Sequence, residues 1–173
     1  MLKAYKTLLD KGWSSSPFLF VDFDGVLNTN KEAVNEDFRK ECVENLNKII
    51  LNVPDLRIII SSSWKIGRTL LQLRELLAGA GMVQPHIVVD KTPDLYYISQ
   101  EYLYVDSAYP DMENVRAAEI ACSVNTKNII WYLAIDDNPD KHMEAYTIRT
   151  TMKDGLTALH AETVVERFRE MML

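Results

Sequence analysis

Three short apolar runs each stop at a polar cluster. Phe18-Leu-Phe-Val21 runs into Asp22-Phe-Asp24, Arg57-Ile-Ile-Ile60 into Ser61-Ser-Ser63, and Trp131-Tyr-Leu-Ala-Ile135 into Asp136-Asp137. Runs of this length, bounded by turn signals, read as buried strands. Between them lie stretches with helical spacing, among them Phe38, Cys42, Val43, Leu46, Ile49 and Ile50. Strands alternating with helices predict a three-layer α/β sandwich built on a mainly parallel, doubly wound sheet.

Read along the chain, the pattern predicts a helix over Leu2–Lys11 closed by Gly12 and a strand over Phe18–Phe23. A helix over Asn35–Leu51, a strand over Arg57–Ser61 and a helix over Thr69–Ala80 follow. Next come a strand over His86–Asp90, a helix over Val115–Ser123, strands over Trp131–Ile135 and Ala145–Thr150, and a final helix over Ala158–Met172. The segment Thr92–Met112 resists this scheme. It holds five of the eight tyrosines and no clear period, and so long an irregular connection is usually a lid, a small hairpin or a contact surface.

At 173 residues and 47% hydrophobic, the chain is expected to form one domain over residues 1–173, with residues 92–112 as a lid or insertion. A net charge of −6 supplies no basic field for holding long nucleic acid non-specifically. Cys42 and Cys122 have no metal-ligand spacing and fit a reducing compartment. The N-terminal MLKAYKTLLDKGW lacks the apolar core of a signal peptide, and no run reaches membrane-spanning length. The expectation is a cytoplasmic protein with no membrane partner.

Residues two apart on a strand share a face, so Asp22 and Asp24 can point together off the end of the first strand while Phe23 turns inward. Gly25 permits the sharp departure that follows. In open α/β sheets the carboxyl ends of the strands are where ligands sit. Asp136 and Asp137 end another strand, so at least three carboxylates can converge on one crevice. Hard oxygen donors in that number suit Mg²⁺, which commonly also takes a substrate phosphate. The Ser61–Ser63 hydroxyls, at a third strand end, suit phosphoryl oxygens or the capping of a helix.

Taken in order, DFDGV at Asp22–Val26, Ser61 after a hydrophobic strand, a basic residue at Arg116 and the pair Asp136-Asp137 resemble the haloacid dehalogenase (HAD) superfamily of phosphatases and phosphotransferases. The resemblance spans roughly residues 17 to 150. With ISSSW, Asp90-Lys-Thr-Pro93, Arg116-Ala-Ala-Glu-Ile120 and Gly155-Leu-Thr157, the chain is similar to the compact HAD domains of RNA-repair and bacteriophage proteins.

The resemblance implies a Rossmann-like fold with a minimal cap and a two-step phosphoryl transfer. Asp22 would be the nucleophile and Asp24 the acid/base. Mg²⁺ would be held by Asp22, the Asp24 carbonyl, Asp136 and Asp137. Ser61, with Ser62 beside it, and Arg116 would bind the phosphate. Lys127 and Lys91 compete with Arg116 for the basic position.

The implied substrate is a phosphorylated one: a nucleotide, a nucleic-acid end or a small phosphomonoester. A phosphotransferase using the same chemistry and a non-catalytic binding module remain alternatives. A receiver domain would need the acidic pair first and the phosphoacceptor later, the reverse of the order here. A P-loop kinase is excluded by the lack of GxxxxGK[ST]. The three histidines, without ligand spacing, read as surface or packing residues.

Overall fold

A computed structural model describes residues 15–30, 37–95, 115–139 and 141–173. Five strands form one sheet: β1 (Pro17–Val21), β2 (Arg57–Ile60), β3 (Val88–Lys91), β4 (Trp131–Asp136) and β5 (Thr147–Arg149). Their order is β3-β2-β1-β4-β5 and every pairing is parallel. Among the described residues, four helices flank the sheet: α1 (Lys40–Asn52), α2 (Leu70–Gly79), α3 (Val115–Lys127) and α4 (Ala158–Met171). The result is the expected Rossmann-like α/β architecture.

Alternation along the strands separates two apolar layers. Leu19 and Val21 of β1, Ile58 and Ile60 of β2, and Leu133 and Ile135 of β4 face one side. They are covered there by Leu46 and Ile49 of α1, Leu73 and Leu77 of α2, and Val164 and Phe168 of α4. Phe18, Phe20, Ile59 and Ala134 face the other side, against Ile120 of α3 and Met143. A strand buried on both faces needs apolar residues at successive positions, which explains why the runs read as continuous rather than alternating.

Helix starts follow local chemistry where that chemistry is strong. Thr69 with Gln72, and Thr157 with His160, form capping boxes that open α2 and α4. The first long helix begins later than its periodicity predicts: residues 37–39 are non-helical and α1 starts at Lys40. There the Arg39 amide donates to the Leu27 carbonyl at 2.8 Å, and Phe38 stacks on Trp64, so tertiary contacts take residues that the period assigns to the helix. The predicted start of β3 at His86 is instead a 3-10 turn over Pro85–Ile87, with the proline at its first position. Residues Lys141–Tyr146 likewise form 3-10 turns, which delays β5 to Thr147. The predicted helix over Leu2–Lys11 lies outside the described residues.

The hydrogen-bond ladder runs one residue past the strands at a common edge. The Asp22 amide donates to Ile135, Ser61 to Val21, Thr92 to Ile60 and Thr150 to Asp136, at 2.9–3.1 Å. Four polar residues are thereby held at the carboxyl ends of their strands. The strand order reverses between β1 and β4, which opens a crevice at that edge.

Phe168 is fully buried in the larger apolar layer and far in sequence from the polar edge. Phe168→Ala is expected to lower the unfolding free energy by about 3–5 kcal/mol. Urea titration should show a lower midpoint with an unchanged slope.

Candidate functional site

At the β1–β4 edge lies an open cavity of about 540 Å³, lined in part by Asp22, Asp24, Ser62, Arg116, Asp136 and Asp137. Asp22 and Asp136 are buried, and Asp137 is half-buried. One carboxylate oxygen from each of these three lies within 4.8 Å of the others. Arg116, in the first turn of α3, reaches over them: its Nη1 donates to Asp22 Oδ2 and, at 2.8 Å, to Asp136 Oδ2. The Phe23 amide donates to Asp22 Oδ1 at 2.7 Å and the Asn138 amide to Asp136 Oδ1 at 2.9 Å. Both carboxylates are thus oriented by fixed backbone as well as by the guanidinium.

The charges do not balance. Two buried carboxylates share one guanidinium, with a third carboxylate beside them. Burial, opposed by Arg116 and reinforced by Asp136, raises the Asp22 carboxyl from its usual 3.8 to about 7. Asp137 is raised too, first by burial and then by Asp136. Burial alone would lower Arg116, but Asp22 and Asp136 outweigh it and hold the guanidinium above its ordinary range. A further cation would relieve this excess, and the donor set of hard carboxylate oxygens fits Mg²⁺.

Gly25 makes the close approach possible. It sits at φ +68°, and a Cβ there would lie 2.5 Å from Asp137 Cγ. The Thr150 hydroxyl ties its carbonyl down at 2.7 Å. Across the same loop, the Leu156 amide donates to the Val26 carbonyl at 2.8 Å and Asn45 Nδ2 to the Leu156 carbonyl at 2.8 Å. These bonds place the Gly155-Leu-Thr157 motif: it fastens the loop after β1 to the start of α4.

The serines divide. Ser62 lines the cavity, favours the ionised form of Asp22 and accepts from the Trp64 amide at 3.4 Å. Ser61 is buried and does not line the cavity, and its Oγ has no hydrogen-bond partner. Among the described residues it is the one fully buried side-chain polar atom so left. An orphaned hydroxyl carries a desolvation cost, and an oxyanion at this strand end would remove it.

Of the competing cations, only Arg116 meets the carboxylates. Lys127 pairs with Asp90 at 2.7 Å, and Lys91 donates to the Lys65 and Arg68 carbonyls at 2.9 and 2.5 Å. A second buried ion pair, not foreseen from the sequence, adjoins the site. Lys65 Nζ donates to Glu119 Oε2, to Thr92 Oγ1 at 2.8 Å and to the Pro93 carbonyl at 3.1 Å. Glu119 Oε1 accepts from the Leu95 amide at 3.2 Å. Burial lowers the Lys65 pKa, and Glu119 opposes that shift. Glu119 lies three residues after Arg116, a spacing that puts both on one helix face and was the available signal. Tyr96, Tyr97, Tyr102 and Tyr104 of the tyrosine-rich segment lie outside the described residues.

Two stability tests follow. With Asp22 titrating near 7 when folded and near 3.8 when unfolded, the folded state holds the extra proton between those values. In chelator, the wild type is therefore expected to lose stability as pH rises from about 4 to about 7 and then level off, by a few kcal/mol at most. Asp22→Asn should lack this loss, so its melting temperature should exceed that of the wild type at pH about 8 and converge with it in acid. Separately, Lys65→Met leaves Glu119 buried and unpaired and should cost about 3–5 kcal/mol. Lys65→Met with Glu119→Gln should recover part of that in the same denaturation assay.

The family described as "HAD domain in Swiss Army Knife RNA repair proteins" matches residues 18–161, from β1 into α4. A search of curated proteins returned no match. The match spans the two acidic strand ends, the serine cluster, Arg116 and the Gly155-Leu-Thr157 clasp in one continuous stretch. This chain belongs to the HAD superfamily, as a compact domain of the kind found in those RNA-repair proteins.

Proposed function

We propose that this domain is a Mg²⁺-dependent phosphomonoester hydrolase that works through an aspartyl phosphate on Asp22, with a terminal phosphate of a nucleic acid as its substrate. The observation that carries the reading is the shared cavity: a buried carboxylate, a guanidinium bonded to it, and a second carboxylate, Asp24, two residues along. The family description supports the nucleic-acid end. The net charge of −6 argues that such a substrate is gripped at its phosphate rather than along its backbone.

In this reading an Asp22 oxygen attacks phosphorus, and the bond to the ester oxygen breaks. Asp24 gives that oxygen its proton. In the second step Asp24 takes a proton from water, the water oxygen attacks phosphorus, and phosphate leaves with Asp22 restored. Arg116 and Ser62 hold the phosphoryl oxygens, with the unpartnered Ser61 hydroxyl at the same strand end. Asp22, Asp136, Asp137 and the Asp24 carbonyl would hold Mg²⁺. Bound there, it supplies the positive charge that favours ionised Asp22 and offsets the incoming phosphate's charge.

Phosphate release from a terminally phosphorylated oligonucleotide, a mononucleotide and an aryl phosphate tests each part. Turnover is expected with Mg²⁺, lost in excess chelator and lost in Asp22→Asn. Mg²⁺ should also raise the melting temperature of the wild type more than that of Asp136→Asn. Turnover that survives chelation would sink the metal assignment. Preference for the mononucleotide would move the substrate to the nucleotide pool, and a phosphorylated acceptor alcohol among the products would make the domain a phosphotransferase.

A further inference from the structure

The hydrolase reading assigns Asp24 a proton but leaves open what aims it. Asp24 is half-buried at the cavity wall, at the start of a loop. Among the described residues, two side chains reach it. Asn28 Nδ2 donates to Oδ1 at 2.9 Å, and the indole N–H of Trp64 is 3.1 Å from both Oδ1 and Oδ2. The Asn28 amide cannot turn over, because its own Oδ1 accepts the Gly25 amide at 3.1 Å.

Trp64 is held on all sides. Phe38 stacks on it with centroids 5.2 Å apart, and Phe23 meets it edge-on at 5.5 Å. The Arg68 guanidinium lies over the ring at 5.6 Å, and Arg68 Nη1 also donates to the Trp64 carbonyl at 3.2 Å. Ser62 caps its amide. An indole packed in this way delivers its N–H in one direction, and that direction is Asp24.

Resting on the hydrolase reading, we propose that Trp64 is the positioning residue for the acid/base, and that with Asn28 it leaves Asp24 Oδ2 as the oxygen that exchanges the proton. A carboxylate oxygen has two lone pairs. The indole N–H is shared equally between the two oxygens, but Oδ1 also accepts from Asn28, so Oδ2 is the less occupied of the pair. The ISSSW motif thereby does two things from one turn: Ser62 faces the phosphate pocket and Trp64 orients the proton carrier.

Trp64→Phe keeps a ring between Phe38 and Arg68 but removes the N–H. Hydrolysis of para-nitrophenyl, phenyl and alkyl phosphates should be compared in both proteins. The better the leaving group, the less it needs an acid, so the variant's loss in kcat/KM, which reports the step in which the ester oxygen leaves, should grow along that series and be about tenfold or more larger for the alkyl ester. An equal loss in kcat/KM on all three esters, or none, overturns the proposal while leaving the hydrolase reading intact. A wild type inert on every ester overturns both. Independently of turnover, the Trp64 indole N–H proton resonance should move upfield in Asp24→Ala, and an unmoved resonance also overturns the contact on which the proposal rests.

Discussion

One guanidinium between two buried carboxylates organises this domain's polar edge. Asp22 and Asp136 stand at the ends of adjacent strands, close enough for both to bond to Arg116 Nη1. Removing two negative charges from water at one point is unfavourable unless positive charge accompanies them. Arg116 supplies one unit, brought in by the first turn of α3. The remainder is a standing electrostatic deficit, visible in the raised Asp22 and Asp137 carboxyls. The sheet, built from strands buried on both faces, is rigid enough to keep the carboxylates together despite it.

Around that deficit the loop after β1 is clamped from several directions. Thr150 holds the Gly25 carbonyl, Leu156 bonds to Val26, and Asn28 and Trp64 hold Asp24. Thr150 and Leu156 come from the connection between β5 and α4, Trp64 from the turn after β2, and Asn28 from the loop itself. The loop that carries Asp24 is therefore fixed largely by tertiary contacts, although its own sequence, with Gly25 at positive φ, favours an irregular path.

Much of this is legible in the sequence. Apolar runs ending in acids give away strand ends, because a carboxylate can follow a buried strand only where the sheet meets an opening. The order of the strands is another matter. Lys65 follows β2 and Glu119 lies on α3, and nothing in their spacing says that the two elements face each other across the cavity. Choosing Arg116 over Lys91 and Lys127 needed the same knowledge, since all three follow β2 and precede β4 in the chain. Phe38 obeys helical spacing yet lies before the helix, because a stacking partner from a distant turn outweighs a weak local preference. Periodicity reports which face is apolar, not which neighbour will cover it.

The placement of β1 in the middle of the sheet has a consequence for how the chain is made. β1 pairs with β2, about forty residues on, but its other edge waits for β4, whose register begins at Trp131. Contacts so distant in sequence form slowly, because loop closure must precede them. A nascent chain that has released β1 to β3 but not yet α3 can lay β1 against β2 and β2 against β3, with Asp22 at an exposed edge and neither Arg116 nor Asp136 yet available. Asp22 is synthesised well before either of its electrostatic partners. The buried charge cluster therefore closes only once α3 and β4 have both arrived.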